Sequence, residues 1–381
     1  MAGTRIIKIL FLSIFYYSSP SLAVAARPTY NVQSIGAKPD GKTDCTNAFL
    51  SAWGSACAST DPATIYVPPG RYLLRNACFA GKLCRNTAIA IRIDGTLVAP
   101  SDYTVLGRSG TWLQFESVSG VSIHGGTLDG QGIKLWACKN ISGGSCPKGA
   151  TVEMFHILVD GCHNVKLMNL KISAPENSPN TDGIHVEQST AVTIMNSHIG
   201  TGDDCVSIGP GTSDLWIENM YCGPGHGISI GSLGRELQES GVQNVTVKTT
   251  TFSGTQNGVR VRHGHVLAMD SLETFFSSML LWSMSKTPLL STKTTARIAK
   301  IVRPGYNASG VKISNVTYKD IHGTSATQVA VKFECSKMKP CSGIMLSGVN
   351  LTYGGKQAAA AAACANAGGT TKGLVNPTSC L

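Results

Sequence analysis

Short runs in which apolar and polar residues alternate recur along the chain. They read GVSIHGGTLDG from residue 120, NVKLMNLKIS from 164, AVTIMNSHIG from 191, DLWIENMYCG from 214, NVTVKTTTFSG from 244, GVKISNVTYKD from 310 and GIMLSGVNLTYG from 343. Each has the period of a half-buried strand and ends in or beside a turn-type residue. With Ile123, Leu167, Ile194, Ile217, Val247, Ile313 and Leu346 as equivalent anchors, the steps are 44, 27, 23, 30, 66 and 33. No 3.6-residue period lies between the anchors to supply crossover helices, which excludes a doubly wound sheet or a barrel of alternating strands and helices. Sandwich strands would recur about every 8 to 12 residues. Strand-and-turn coils at two to three dozen residues predict an all-β parallel β-helix, each coil burying its apolar face on the next. One solenoid over residues 26–381 then replaces the two or three domains that 381 residues would suggest. Ahead of it, the turn and cap residues 40–44 (DGKTD) lead into AFLSAW, which predicts a short helix from about Thr46 that plugs the open end.

The polar residues with chemistry fall into the register of such a solenoid. Asp182 lies in NTDGIH, Asp203 and Asp204 in TGDDCVSIG, and His226 in GPGHGISIG; the interval from 182 to 204 equals that from 204 to 226. Stacked coils would place these side chains about 4.8 Å apart per step on one face. Like charges that close raise one carboxyl pKa, so that one acid can stay protonated while others activate water, the division of labour in glycoside hydrolysis. The same oxygens could instead hold Ca²⁺. Arg260, further along the chain beyond His226, is placed to receive an anionic substrate.

Composition narrows the setting. Arg5 and Lys8 precede an apolar stretch over residues 9–17 that runs into Ala23, Val24 and Ala25, the layout of a secretory leader over residues 1–25. Thirteen cysteines suit an oxidising compartment, with Cys205 and Cys222, Cys335 and Cys341, and Cys364 and Cys380 as local pairs. Sequons at Asn140, Asn244, Asn307, Asn315 and Asn350 predict a glycoprotein. The formal charge of +10 first suggests a polyanionic partner, but no basic run interleaved with aromatics points to nucleic acid, and no later segment is long enough for a membrane span. Removing the two basic residues of the leader and the net +4 of residues 262–303 leaves +4, so bulk charge carries little of the argument.

Taken together, NTD at 180–182, GDD at 202–204, GHG at 225–227 and RVR at 260–262 resemble the plant polygalacturonases, in which the last motif usually reads R-I-K. The likeness runs from about Thr29 through Cys380. It implies a right-handed parallel β-helix, secretion to the cell wall, and inverting hydrolysis of α-1,4 bonds between galacturonate units, with endo action preferred to exo. Asp203 would be the proton donor, Asp182 and Asp204 would activate water, and His226 would set the protonation of the acid. Asn180, Arg260 and Arg262 would bind substrate. The implied enzyme is a monomer that takes pectin or polygalacturonate as its partner, no nucleic acid or membrane, and no metal or cofactor. A catalytically impaired pectin-binding wall protein is the alternative from another class, and a Ca²⁺-dependent pectate lyase the rival enzyme.

Two steps depart from the family pattern. Around residues 150–154 the chain reads GATVEMFHI where similar sequences carry one more coil. From Arg262 to Arg303 the alternating pattern disappears. Permissible codons for RHGHVLAMDSLE, read with one base added in front, give KTWARPSNGFAR, and the same frame continues as NILFQHAVMVNVQNPIIIDQNYCPDSQNC, close to what the family carries. A restored anchor near residue 277 would split the long step after Val247 into two of ordinary coil length. The reading is a lost base near Arg262 with a compensating shift near Val302, which leaves Arg262 in place of the family's lysine and predicts a chain that folds poorly or turns over slowly. Re-reading the genomic DNA and transcript across codons 262 to 303 is expected to reveal the displaced base; a clean in-frame sequence would overturn it.

Overall fold

The computed structural model describes residues 27–102, 105–106, 110–131, 155–178, 180–234, 239–263, 273–275, 280–281, 311–354 and 359–381. The expected leader at 1–25, the departure at 150–154, most of 262–303 and the sequons Asn140 and Asn307 lie outside the described residues. The strands that are described pair in parallel and wind around one apolar core in three faces, as a right-handed parallel β-helix. The first face includes the strands Ser119–His124, His163–Met168 and Thr190–Met195, and the second includes Thr127–Asp129, Lys171–Ser173 and His198–Gly200. Two long strands, Ser213–Cys222 and Gln243–Phe252, run along both of these faces and join them into a 14-stranded sheet. The third face is a 7-stranded sheet that includes Phe155–Asp160, Ile184–Glu187, Asp204–Ile208, Gly227–Leu233 and Val259–His263.

The predicted anchors Ile123, Leu167, Ile194, Ile217 and Val247 stack in one column as successive register partners, and Ile91 extends the column before them. Leu167, Ile194, Ile217 and Val247 are fully buried. The long first step is a single coil in register, because Ile123 pairs directly with Leu167. The last anchor pair is corrected by the structure. Leu346 pairs with Tyr318, and Ile313 sits on an earlier strand of that coil, Lys312–Ser314, so the true step runs from Tyr318 to Leu346. Both Ile313 and Tyr318 are buried and apolar in character, and alternation alone does not say which one faces Leu346.

Corners of the coils repeat a left-handed backbone. Asn164, Ala191, Asp214 and Asn244 follow one another at one corner with φ of 53°, 56°, 53° and 53°, and Asn169, Asn196, Asn219 and Thr249 at the next with 59°, 52°, 54° and 51°. Asparagine and aspartate tolerate this region because their short polar side chains bond locally. The ladder also bonds upward, since Asn219 Nδ2 donates to Asn196 Oδ1 at 3.2 Å.

The plug forms as the cap residues predict. The helix Thr46–Ala58 begins where Asp44 Oδ1 accepts from the Thr46 backbone N–H at 2.9 Å. Its face of Phe49, Ala52, Trp53 and Ala56 closes the core, with Trp53 edge-on to Phe79 and its indole N–H donating to the Ala80 carbonyl. A Cys57–Cys84 disulfide that the sequence reading did not foresee ties the helix to the wall, and the three foreseen pairs, Cys205–Cys222, Cys335–Cys341 and Cys364–Cys380, are all present. No helix among the described residues is long and apolar enough to cross a membrane.

Truncating a column residue should leave a cavity that rigid coils cannot close. Leu167→Ala is expected to cost about 3 kcal/mol in denaturant unfolding. At the corner, Ala191→Gly should gain about 0.5 to 1 kcal/mol by removing a Cβ from a left-handed backbone.

Candidate active site

The acidic motifs sit at the turns that lead into the third face, where each coil passes from one strand to the next. The strands Ile184–Glu187 and Asp204–Ile208 are in register, Ile184 opposite Val206, and Gly183 N donates to the Asp204 carbonyl at 2.9 Å, so Asp182 and Asp204 stack on neighbouring coils as the sequence predicts. The next step does not repeat this spacing. Asp204 pairs with Gly227, and the register slips between Asp204 and Val206, so that the earlier spacing returns only where Val206 meets Ile228. That irregularity places His226 opposite Asp203 rather than Asp204, with His226 N donating to the Asp203 carbonyl at 2.7 Å. A bulge of this kind re-aims a side chain without disturbing the strands beyond it.

Glycine makes the slip feasible. Gly225 and Gly227 have φ of 134° and 90°, and a Cβ on them would come within 2.4 Å of the Asp203 carbonyl oxygen and 2.2 Å of the Asn257 carbonyl oxygen. Thr181 braces the two acidic turns against each other, its hydroxyl donating to the Ser178 carbonyl at 2.6 Å and accepting from Gly202 N at 3.1 Å.

The three carboxylates meet different partners. His226 Nδ1 and Asp203 Oδ1 are hydrogen-bonded at 2.7 Å, while Asp203 Oδ2 accepts from the Asn180 backbone N–H at 2.8 Å. Asp204 Oδ1 accepts from the Ser229 hydroxyl at 2.6 Å and from Arg260 Nη2 at 2.8 Å. Arg260 Nε in turn donates to Ser229 Oγ at 2.6 Å. Asp182 carries its backbone in a double clasp from His156, whose N and Nδ1 both bond the Asp182 carbonyl, at 3.0 and 2.9 Å.

Burial and charge separate the carboxylates. Burial, followed by the charges of Asp204 and Asp203, pushes the Asp182 carboxyl well above its ordinary value. Burial raises Asp204 too, with the Arg260 guanidinium opposing it. Against its own burial, Asp203 is held below the ordinary value by the hydrogen bond and charge of His226. The upward push expected from neighbouring like charges therefore falls, together with burial, on Asp182 and Asp204, and His226 opposes it at Asp203.

Each expected site residue has a place. Asp182, Asp203, Asp204, His226 and Arg260 form one contiguous cluster. Asn180 belongs to it through its backbone. Arg260 differs from expectation: its side chain is 11% exposed and ion-paired with Asp204, so it is a buried brace before it is a substrate ligand. Arg262 lies two residues along the same strand, on the same face and half-buried. Ser207 and Ser229, both buried, escaped the sequence reading although the repeat that carries them, VSIG at 206 and ISIG at 228, stands beside the acidic motifs. One ligand atom from each of Asp203, Asp204 and His226 lies within 4.8 Å of the others, a spacing a cation could bridge. The oxygens of Asp203 and Asp204 are already hydrogen-bonded to His226 and to Arg260, and an imidazole is not an oxygen ligand, which makes this a poor donor set for a hard cation.

Comparison with known proteins agrees with this geometry. The family model described as glycosyl hydrolases family 28 matches residues 57–151 and 148–374. A polygalacturonase from Prunus persica is 52% identical over the whole of both chains, and an exopolygalacturonase from Platanus acerifolia is 37% identical over 91% of this chain and 96% of its own. The endo-xylogalacturonan hydrolase structure from Aspergillus tubingensis shares the fold, with a TM-score of 0.58 at 21% identity over 92% of this chain and all of its own. The chain belongs to glycosyl hydrolase family 28.

Proposed function

We propose that the chain hydrolyses α-1,4-galacturonosyl bonds of pectin with inversion, acting in the cell wall as an endo enzyme. The observation that carries this reading is the cluster of Asp182, Asp203 and Asp204 on adjacent coils, each carboxylate in a different hydrogen-bonding environment. Relatives named polygalacturonase and exopolygalacturonase both align along most of the chain and support the substrate class. Asp203 delivers the proton to the leaving oxygen. The proton reaches it along the 2.7 Å contact with His226, and exclusion of water favours the neutral acid–imidazole pair over the ion pair. The approaching galacturonate carboxylates act in the same direction, since like charge disfavours a second anion at Asp203. Asp182 and Asp204 activate the attacking water, which inverting hydrolysis delivers to the anomeric carbon in a single displacement. Arg260 offers substrate the nitrogen not engaged by Asp204 or Ser229, and Asn180 and Arg262 flank it.

The rate should depend on pH with a defined sign. Asp182 and Asp204 act as bases only when ionised, and burial has raised both, so the acid limb of kcat should lie above the ordinary aspartate range. Activity is lost as pH falls through that limb. Asp203→Asn should lower turnover of polygalacturonate by at least about a thousandfold and leave polymer binding intact. Retained turnover in that variant would favour a different acid, and absence of turnover in the parent would favour a binding protein. Products should be saturated reducing ends insensitive to chelator, whereas ultraviolet-absorbing unsaturated ends would indicate a lyase. Viscosity falling well ahead of reducing-end release would identify endo action, and proportional change exo action. Exchanging residues 262–302 for the shifted-frame string should raise specific activity.

A further inference from the structure

The two proposed water-activating carboxylates are served by the same device with one component changed. Ser207 follows Asp182 at the same interval along the chain as Ser229 follows Asp204. The two serines are register partners on the third face, in a row that continues to His185 on one side and Arg260 on the other. Ser229 receives a hydrogen bond from Arg260 Nε and gives its own proton to Asp204 Oδ1. Arginine has no acceptor and does not lose its charge, so that direction is fixed. Ser207 faces the Asp182 carboxyl and lowers its pKa against the effect of burial. Its second partner is His185 Nδ1, at 2.7 Å.

We infer that His185 and Ser207 form a titratable positioning pair that sets the charge of Asp182, a role that rests on the reading of Asp182 as a water-activating base. When Nδ1 carries a proton, the Ser207 hydroxyl accepts it and points its own proton at Asp182, stabilising the carboxylate. When Nδ1 is bare, the hydroxyl turns to the ring and Asp182 loses a donor. The surroundings hold the ring in this position. Phe155 stacks on it with centroids 4.3 Å apart and planes 8° from parallel. On the far side, Nε2 sits so close to the backbone that a Cβ on Gly209 would come within 3.0 Å of it. Its side chain is 13% exposed.

Charged groups surround the ring. Glu187 Oε2, on the same strand, is 3.5 Å from Nε2. Asp160 on the preceding strand is the register partner of Glu187 and of Glu116 beyond it, and it senses the His185 charge. Toward the following coils stand Asp182, Asp204 and the opposing Arg260. The arrangement gives Asp204 a permanent donor and Asp182 a conditional one, so the two bases are not equivalent, and Asp182 is the one whose competence tracks the protonation of a neighbour.

The test compares kcat, KM and pH profile on polygalacturonate for the parent, Ser207→Ala, His185→Ala and His185→Asn. Ser207→Ala and His185→Ala should lower kcat about tenfold with KM within about twofold, and move the acid limb up by about one pH unit, because the Asp182 carboxylate loses a stabilising donor. His185→Asn, whose amide always donates, should recover most of kcat. Parent-like kcat and an unmoved acid limb in both alanine variants, with Asp203→Asn inactive, would overturn the inference and leave the hydrolase reading standing. If the parent shows no turnover, the hydrolase reading fails, and imidazole NMR of the full chain still decides this one. Asp182→Asn should shift the titration of His185, and an unchanged titration would refute the pair.

Discussion

Parallel coils stack about 4.8 Å apart, so residues at one register position form a column whether or not their chemistry suits it. Were the spacing between Asp182 and Asp204 repeated strictly, His226 would stand over Asp204. The slip between Asp204 and Val206 moves it over Asp203. Two consequences follow from that single residue. Asp203 gains an imidazole hydrogen-bonded to its carboxylate, and Asp204 is left to the guanidinium of Arg260, two coils on. A continuous ladder would have offered both acids the same neighbour and given them the same character. The site therefore depends on an interruption in the repeat that builds the fold, and the glycines on either side of His226 are what the interruption requires of the backbone.

Electrostatics then does the sorting. Three carboxylates in a largely buried cluster would each prefer to be neutral, and the imidazole and guanidinium that oppose this are placed unevenly. His226 contacts Asp203 directly and Arg260 contacts Asp204, while Asp182, pushed up by its burial and by the charges of Asp204 and Asp203, has neither in contact. Environments that push neighbouring acids apart are how one cluster supplies both an acid and a base at the same pH. The serines refine this without adding charge. A hydroxyl passes on the direction of whichever donor stands behind it, so Ser229 transmits a fixed cation and Ser207 a titratable ring.

Much of this was legible in the chain because strands with a buried face must alternate and acids at turns come flanked by glycine. The column from Ile123 to Val247 follows directly from that alternation, and Asp182, Asp203, Asp204 and His226 stand out through their motifs. What stayed hidden depends on register. Ile313 and Tyr318 are both apolar residues of one coil, and only the pairing with Leu346 distinguishes them. Likewise the equal intervals from 182 to 204 and from 204 to 226 suggest an unbroken ladder, and the bulge that makes His226 the partner of Asp203 leaves no trace in composition. Ser207 and Ser229 read as the polar half of ordinary strands; their role appears only when the coils are stacked and each hydroxyl is found against an acid. Cys57 and Cys84 are 27 residues apart across the plug, too far in sequence to pair by proximity.

The same register logic bears on the length of the chain. The alignment with the Prunus persica polygalacturonase runs over 405 positions against the 381 residues present here, an excess of 405 − 381 = 24, and the family match divides at residues 148–151. That excess is close to the length of the shorter coils of this molecule, such as the one from Ile194 to Ile217. Because each coil contacts only its neighbours, Ser119–His124 and His163–Met168 pair directly whatever length of chain connects them. Removal of half a coil would have set one face against another and turned buried positions outward. The cluster does not depend on the chain before residue 156, since every contact that defines it is made between residues 156 and 260.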